Sequence, residues 1–117
     1  MKISESEMEI MKILWKKECE MSSSEILNEL GDIWKPTTVI TFLKRLSEKG
    51  AVNVRREGKA NYYSSKITKN EYNHSHTEEF VNTFHKGSVR NLLASLYDGK
   101  KPTKQELEDI KKWFEEV

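Results

Sequence analysis

The chain has 117 residues, of which 36% are hydrophobic and 33% charged, with a formal net charge of +1. This length suits one ordinary domain or two small ones, and no apolar run approaches the roughly 20 residues that span a bilayer. The N-terminus lacks the apolar segment of a secretion signal, and the single cysteine, Cys19, excludes an intrachain disulfide. We therefore expect a protein of the reducing cytoplasm with no membrane insertion.

Three helix starts share one capping signature, a hydroxyl residue followed three residues later by glutamate. The signature occurs at Ser4, Ser22 and Thr103. The first predicts a helix over residues 5–17, and the second predicts a helix over residues 23–30 that ends at Gly31. The third predicts a last helix that begins at Lys104.

Another helix is predicted from Pro36, whose fixed φ suits the first helical position, to Gly50, a suitable C-terminal cap. One side of it carries apolar residues at helical spacing, Val39, Phe42, Leu43 and Leu46. The opposite side and its flanks carry two threonines, an isoleucine and two cations: Thr37, Ile40, Thr41, Lys44 and Arg45. The pattern predicts a helix that is anchored by one face and presents the other to a partner.

A basic hairpin is predicted after this helix. Strand-forming residues occupy positions 51–54 and 61–65, on either side of a turn at residues 57–59. The segment from Trp34 to Lys66 contains eight cations and two acids, a net charge of +6, while the rest of the chain carries −5. A local excess of this kind favours contact with phosphates, although a basic surface that is only solvated fits the charges equally well.

Helices followed by a basic hairpin are typical of a winged helix-turn-helix, in which the third helix enters the major groove and the hairpin lies on the DNA backbone. Arginine can bind guanine or phosphate, and threonine can bind phosphate or pack on a thymine methyl. Ile40 either contacts a thymine methyl or is an ordinary exposed aliphatic. The wing cations either bind phosphate or only keep the hairpin soluble. The predicted contacts are Thr37, Ile40, Thr41, Lys44 and Arg45 on the helix, and Arg55, Arg56 and Lys59 on the wing.

The C-terminal half is predicted to be helical, with breaks at Gly87 and at residues 98–102. Its short helices carry apolar stripes that about 50 residues cannot bury alone, so they need a partner. A symmetric homodimer is one solution, and packing against the N-terminal half of the same chain is the other. The predicted dimerisation residues are Phe80, Phe84, Val89, Leu92, Leu93, Leu96, Leu107, Ile110 and Phe114.

The predicted fold is mainly α with a small β-hairpin wing: a winged-helix DNA-binding domain in residues 1–67 and a helical dimerisation domain in residues 68–117. The sequence does not support an enzymatic function, because it contains no phosphate-binding glycine loop, nucleophile elbow or zinc-protease motif. His74 and His76 point about 200° apart on a regular helix, so they cannot share a metal. No metal or cofactor is expected, and a winged-helix protein–protein adaptor is the alternative to a DNA-binding protein.

Three segments resemble the penicillinase repressors, the BlaI/MecI family that includes the CopY-type copper repressors: Met8–Trp15, Trp34–Val52 and Arg56–Ser65. The most specific match is the pattern T-V-x-T-x-L-x-R-L, which begins at Thr38. The resemblance implies a homodimeric repressor of β-lactamase or related resistance genes on a palindromic operator, or a member with an unrelated target and inducer. It adds Thr38 to the contacts of the recognition helix.

The resemblance also implies a release mechanism, because in this family a membrane sensor for β-lactams triggers cleavage of the repressor within its dimerisation helices. The equivalent segment here is Ser95-Leu96, where family members with a well-matched segment carry Asn-Phe. Many relatives have a cation where Ile40 stands, which implies a different operator preference. The C-terminal cysteine pairs of the CopY type are missing, so a thiolate metal switch has no ligands.

Overall fold

The computed structural model describes residues 1–31, 33–99 and 102–116. The chain divides into two compact units, Met1–His76 and Thr77–Val117. In chain order the elements are α1 (Glu5–Lys17), β1 (Met21–Ser22), α2 (Ser23–Leu30), α3 (Pro36–Lys49), β2 (Val52–Glu57), β3 (Ala60–Ser65), α4 (Lys69–His85), α5 (Val89–Gly99) and α6 (Lys104–Glu116). The predicted bounds of α1, α2 and α3 are confirmed.

The predicted side-chain caps are present. The Ser4 hydroxyl accepts a hydrogen bond from the Glu7 N–H at 3.2 Å, and the Glu7 carboxylate accepts one from the Ser4 N–H at 2.9 Å. The same reciprocal pair forms between Ser22 and Glu25 and between Thr103 and Glu106. Each pair satisfies two backbone amides that the first turn of a helix leaves without partners.

The first unit is held by one apolar core between its helices and its sheet. Helix α3 contributes three fully buried side chains to that core. The fully buried apolar side chains of the unit's helices are Ile10, Met11, Leu14, Ile26, Val39, Leu43 and Leu46. Helix α3 ends where Gly50 adopts a φ of 82°, a left-handed conformation that glycine enters without steric cost, so the chain turns directly into the hairpin.

The sheet has three antiparallel strands in the order β1-β3-β2. Strands β2 and β3 are the predicted hairpin, and Val54 and Met21 pair with Tyr63 from its two sides. Strand β1 was not predicted from the sequence. This strand has only two residues, which is too short for the alternation of apolar and polar side chains that identifies a strand.

The division between the two units lies within α4, later in the chain than the predicted boundary between residues 67 and 68. The first turns of α4 belong to the first unit because Tyr72 is buried there, with its ring centroid 6.1 Å from that of Trp15. The Trp15 indole N–H in turn donates to the Ser65 hydroxyl and to the Ile67 carbonyl, both at 2.9 Å.

The second unit contains the rest of α4, then α5 and α6. Lys86 and Gly87 have φ angles of 51° and 75°, which end α4 at the predicted break. Helix α5 continues to Gly99, so the predicted break at residues 98–102 begins later than expected. Residues 100 and 101 lie outside the described residues. No helix in the described part of the chain is long and apolar enough to cross a membrane.

Candidate nucleic-acid interface

Helix α3 exposes a polar surface beside the core that anchors it. Its buried residues Val39, Leu43 and Leu46 lie on one side, and Phe42 is half-buried at the edge of that side. Thr38, which the family resemblance added to the contacts, is half-buried. We call five exposed residues of α3 its outer face: Thr37, Ile40, Thr41, Lys44 and Arg45; Pro36, Glu48 and Lys49 are exposed as well.

The hydroxyl groups of the outer face are partly engaged within the helix. The Thr41 hydroxyl donates to the Thr37 carbonyl at 2.9 Å. This bond is common for threonine in helices, because the carbonyl lies one turn earlier and within reach of the side chain. Thr41 therefore presents its methyl group and an oxygen lone pair outward, while its hydroxyl proton is engaged in the hydrogen bond to the Thr37 carbonyl.

Arg45 is supported by an aromatic pair at the edge of the core. The guanidinium carbon of Arg45 lies 5.4 Å from the ring centroid of Phe42, within the range of a cation–π contact. The Phe42 ring packs edge-on against Trp34 with centroids 5.6 Å apart. These contacts hold the charged group beside the outer face and restrict its rotamers. Sequence reasoning assigned Phe42 to the apolar stripe but missed its contact with Arg45, although a spacing of three residues on a helix permits it.

The cations of the wing fall into two kinds. Arg56 and Lys59 are exposed near the hairpin turn, and the Nε–H of Arg56 donates to the Gly58 carbonyl at 3.2 Å. Neither forms an ion pair in the described residues that the structure places beside them. Both can therefore meet a phosphate without first losing a carboxylate partner.

Arg55 is engaged in ion pairs. Its Nε lies 2.8 Å from a carboxylate oxygen of Glu20, its Nη1 lies 2.9 Å from Glu57, and its guanidinium carbon lies 5.0 Å from the ring centroid of Tyr62. The hydrogen bonds that Arg55 donates to Glu20 and Glu57 raise the pKa of its guanidinium. Binding of Arg55 to phosphate would compete with these pairs, so Arg55 is a weaker candidate for a contact than Arg56. The ion pair with Glu20 was not predicted from the sequence.

An ion pair between the partly exposed Lys49 and the buried Glu7 ties the end of α3 to the start of α1. The Lys49 ammonium lies 2.5 Å from a carboxylate oxygen of Glu7, a side chain that is only 3% exposed. Burial raises the pKa of Glu7, but hydrogen bonds from Lys49 and Ser4 outweigh it and hold the pKa below its usual value of 4.5. The pair fixes the C-terminal end of α3 relative to α1, and therefore also the direction of the outer face.

The helices of the second unit carry exposed apolar side chains. Of the predicted dimerisation residues, Leu92 and Leu93 are half-buried. The others are exposed: Phe80, Phe84, Val89, Leu96, Leu107, Ile110 and Phe114. The described chain alone leaves this set in contact with solvent, which is costly for so many large apolar groups in one unit.

The remaining predicted features are placed as follows. Ser95 and Leu96, the implied cleavage segment, are exposed on α5, and the Ser95 hydroxyl donates to the Leu92 carbonyl at 2.9 Å. Cys19 is exposed. Within the described ranges, no group of three or more histidine, cysteine, aspartate or glutamate side chains gathers where a metal ion could bind.

A third helix with an exposed, cation-bearing face, followed by a hairpin with unpaired cations near its turn, defines the chain as a winged helix-turn-helix protein. The profile of the penicillinase repressor family matches residues 3–116. The chain belongs to this family. The family consists of transcriptional repressors and not of enzymes, which confirms the predicted repressor class.

Curated relatives match along almost the whole chain. The penicillinase repressor of Bacillus licheniformis is 29% identical over 116 residues, covering 97% of this chain and 90% of the relative. The methicillin resistance regulatory protein MecI of Staphylococcus aureus (strain N315) is 26% identical over 111 residues, covering 93% and 89%. The match therefore includes both units.

Solved structures match the first unit and confirm the predicted fold. The solution structure of the DNA-binding domain of the repressor BlaI is 37% identical, with a TM-score of 0.54, and the match covers 61% of this chain and 88% of that one. The Bacillus licheniformis BlaI monomeric form in complex with the blaP half-operator is 36% identical, with a TM-score of 0.51, covering 62% and 89%.

Proposed function

We propose that this chain is a homodimeric repressor that binds a palindromic operator in double-stranded DNA and controls β-lactamase or related resistance genes. The observation that carries the proposal is the set of exposed cations on two successive elements: Lys44 and Arg45 on the outer face of α3, and Arg56 and Lys59 on the wing that follows it. Such a surface suits a helix in the major groove and a hairpin on the adjacent phosphates. The BlaI–half-operator complex supports the same use of the fold.

The exposed apolar residues of the second unit support the dimer. In a two-fold symmetric dimer the apolar patch of each chain packs against the same patch of its partner, so a single interface buries both patches. Linking two DNA-binding units also makes binding of the second half-site intramolecular, which raises affinity without any new contact to DNA. We propose Phe80, Phe84, Val89, Leu92, Leu93, Leu96, Leu107, Ile110 and Phe114 as the residues of this interface.

We propose further that the protein works in the cytoplasm and that repression ends by cleavage at Ser95-Leu96, downstream of a membrane sensor for β-lactams. Both residues are exposed on the single chain, but Leu96 belongs to the proposed interface, so a protease would reach this segment only when the interface opens. Their helical backbone must open locally before a protease can bind it, so the cleavage rate would depend on the local stability of α5. A member of the family with another target and inducer would share the DNA-binding mechanism and lack this step.

A salt titration tests the DNA-binding proposal against the adaptor alternative. The affinity of the full chain for duplex DNA is expected to fall steeply with salt, with a log–log slope of about −0.9 for each phosphate contacted. Fluorescence anisotropy with a labelled duplex, measured over a series of salt concentrations, gives this slope. An affinity that does not change with salt would contradict the proposal and favour an adaptor.

Replacement of Arg45 tests the assignment of the outer face. Arg45→Ala is expected to cost about 1–3 kcal/mol of operator binding, because a forked contact to a base or phosphate is lost. Loss of the Phe42 contact should change the unfolding free energy by only about 0.5–1 kcal/mol. The matched control is Lys16→Ala, which removes an exposed cation of α1 and should leave specific binding nearly unchanged. Equal affinities for Arg45→Ala and the wild type would show that another surface meets the DNA.

A further inference from the structure

The first turns of α3 contain five consecutive β-branched residues, Thr37 to Thr41. Such side chains are restricted at χ1 and favour a helix less than lysine, glutamate or alanine do. Core packing explains Val39, which is fully buried, and in part the half-buried Thr38, but it does not explain the exposed Thr37, Ile40 and Thr41. Residues whose intrinsic preference is unfavourable for the element they lie in, and whose side chains gain little from packing, tend to lie at functional sites.

Ile40 is the clearest example of a β-branched residue that disfavours the helix without being buried in the core. Its side chain is 50% exposed, so its burial in the free chain is incomplete. Thr37 lies one turn before it and Lys44 one turn after it, and both are exposed polar residues. An isoleucine here gains less from packing than a buried one and forms no hydrogen bond, while a longer polar residue would favour the helix.

Thr41, the next residue, adds a second methyl group to this part of the surface. Because its hydroxyl proton is given to the Thr37 carbonyl, Thr41 cannot also donate that proton to a base. The surface formed by Ile40 and the Thr41 methyl group is therefore suited to apolar contact. Lys44 and Arg45 lie beside it and can hold the helix against phosphate or guanine.

We propose that Ile40, with the methyl group of Thr41 beside it, binds the C5-methyl group of a thymine in each operator half-site. The C5-methyl of thymine is the apolar group that the major groove of unmodified DNA presents. A β-branched side chain loses little rotamer freedom when it packs, so the contact has a low entropic cost. This inference rests on the proposed function, because it requires that α3 lies in the major groove.

The test removes the methyl group from the DNA. A duplex that the wild-type protein selects from random-sequence DNA is resynthesised with deoxyuridine in place of one thymine at a time. At one position in each half-site, the wild type is expected to lose affinity by about fourfold, which corresponds to about 0.8 kcal/mol for one methyl-sized group. Substitution with 5-bromodeoxyuridine, which restores a group of similar size at C5, should recover the affinity.

The protein side of the test uses two isoleucines. Ile40→Ala is expected to lose less affinity than the wild type when deoxyuridine replaces thymine at that position, because only the Thr41 methyl group remains for the contact, and it should stay folded because Ile40 is 50% exposed. Ile33→Ala changes an isoleucine that is 90% exposed and outside α3, and it should keep the wild-type response to deoxyuridine.

The outcomes separate this inference from the proposed function. Tight, salt-dependent binding with no loss at any deoxyuridine position would overturn the thymine contact and leave DNA binding intact. An unchanged deoxyuridine response in Ile40→Ala would overturn the role of Ile40. Failure to select any duplex would overturn the proposed function and the inference together.

Discussion

Replacing Leu96 with aspartate is expected to convert the dimer into a monomer and to weaken binding to the full operator by about 100-fold or more. Leu96 is 58% exposed in the described chain, so the charge need not disturb the core of its own unit. In a dimer the same charge would be buried twice, once on each chain, which is strongly unfavourable. Sedimentation velocity reports the assembly state, and anisotropy with full and half operators reports the binding.

The loss of affinity in Leu96→Asp should be limited to the full operator, where two linked subunits bind two half-sites. Binding to a single half-site should change little, because the outer face of α3 belongs to the other unit. Ala94→Asp is the matched control, since Ala94 lies on the opposite side of α5 from Leu96 and is also exposed. If both Leu96→Asp and Leu92→Asp stayed dimeric, the interface would lie elsewhere.

Replacing Lys49 with methionine is expected to lower the free energy of unfolding by about 2–3 kcal/mol. The substitution keeps the length of the side chain but leaves the Glu7 carboxylate buried without a cation. Glu7 also has a second carboxylate oxygen that is buried without a hydrogen-bond partner among the described residues. Urea unfolding monitored by tryptophan fluorescence measures the change.

Two further variants isolate the ion pair. Lys12→Met removes a lysine that forms only an exposed pair with Glu9 at 3.5 Å, and it should change the unfolding free energy by less than about 0.5 kcal/mol. Adding Glu7→Gln to Lys49→Met should restore part of the loss, since glutamine is neutral and can still cap Ser4. A loss for Lys49→Met no greater than that for Lys12→Met would mean that the pair contributes little.

The same pair predicts how stability depends on pH. The pKa of Glu7 is lower in the folded chain than its usual value of 4.5. The unfolded chain therefore takes up this proton first as the pH falls, and the contribution of Glu7 is present above about pH 4.5 and lost as the pH drops through the folded pKa. Urea titrations of the wild type and Glu7→Gln should diverge above this range and converge below it.

Local sequence signals predicted the helices of the first unit well. A capping pair, a proline at the first turn and a glycine at the last act within a few residues of the helix end, so the bounds of α3 follow from the sequence near Pro36 and Gly50. The apolar stripe then determines which side of α3 is buried. These two facts were enough to predict most of the outer face.

Contacts between distant residues could not be predicted in the same way. The sequence predicts Arg55 as a phosphate contact of the wing, whereas in the fold Glu20, which is 35 residues earlier and directly precedes β1, forms an ion pair with it. Glu7 was predicted only as part of a helix cap, and its pair with Lys49 depends on how α1 packs against α3. Charge patterns in a sequence give the number of cations, but the fold decides which of them are free.

The central claim is that two copies of this chain place their α3 helices in successive major grooves of one operator. The most direct measurement is selection of fragments of the source genome by the purified full-length protein, followed by sequencing. We expect an inverted repeat whose half-sites lie about one helical turn, or a whole number of turns, apart. Enrichment of single, unrepeated sites, or no enrichment at all, would contradict the claim.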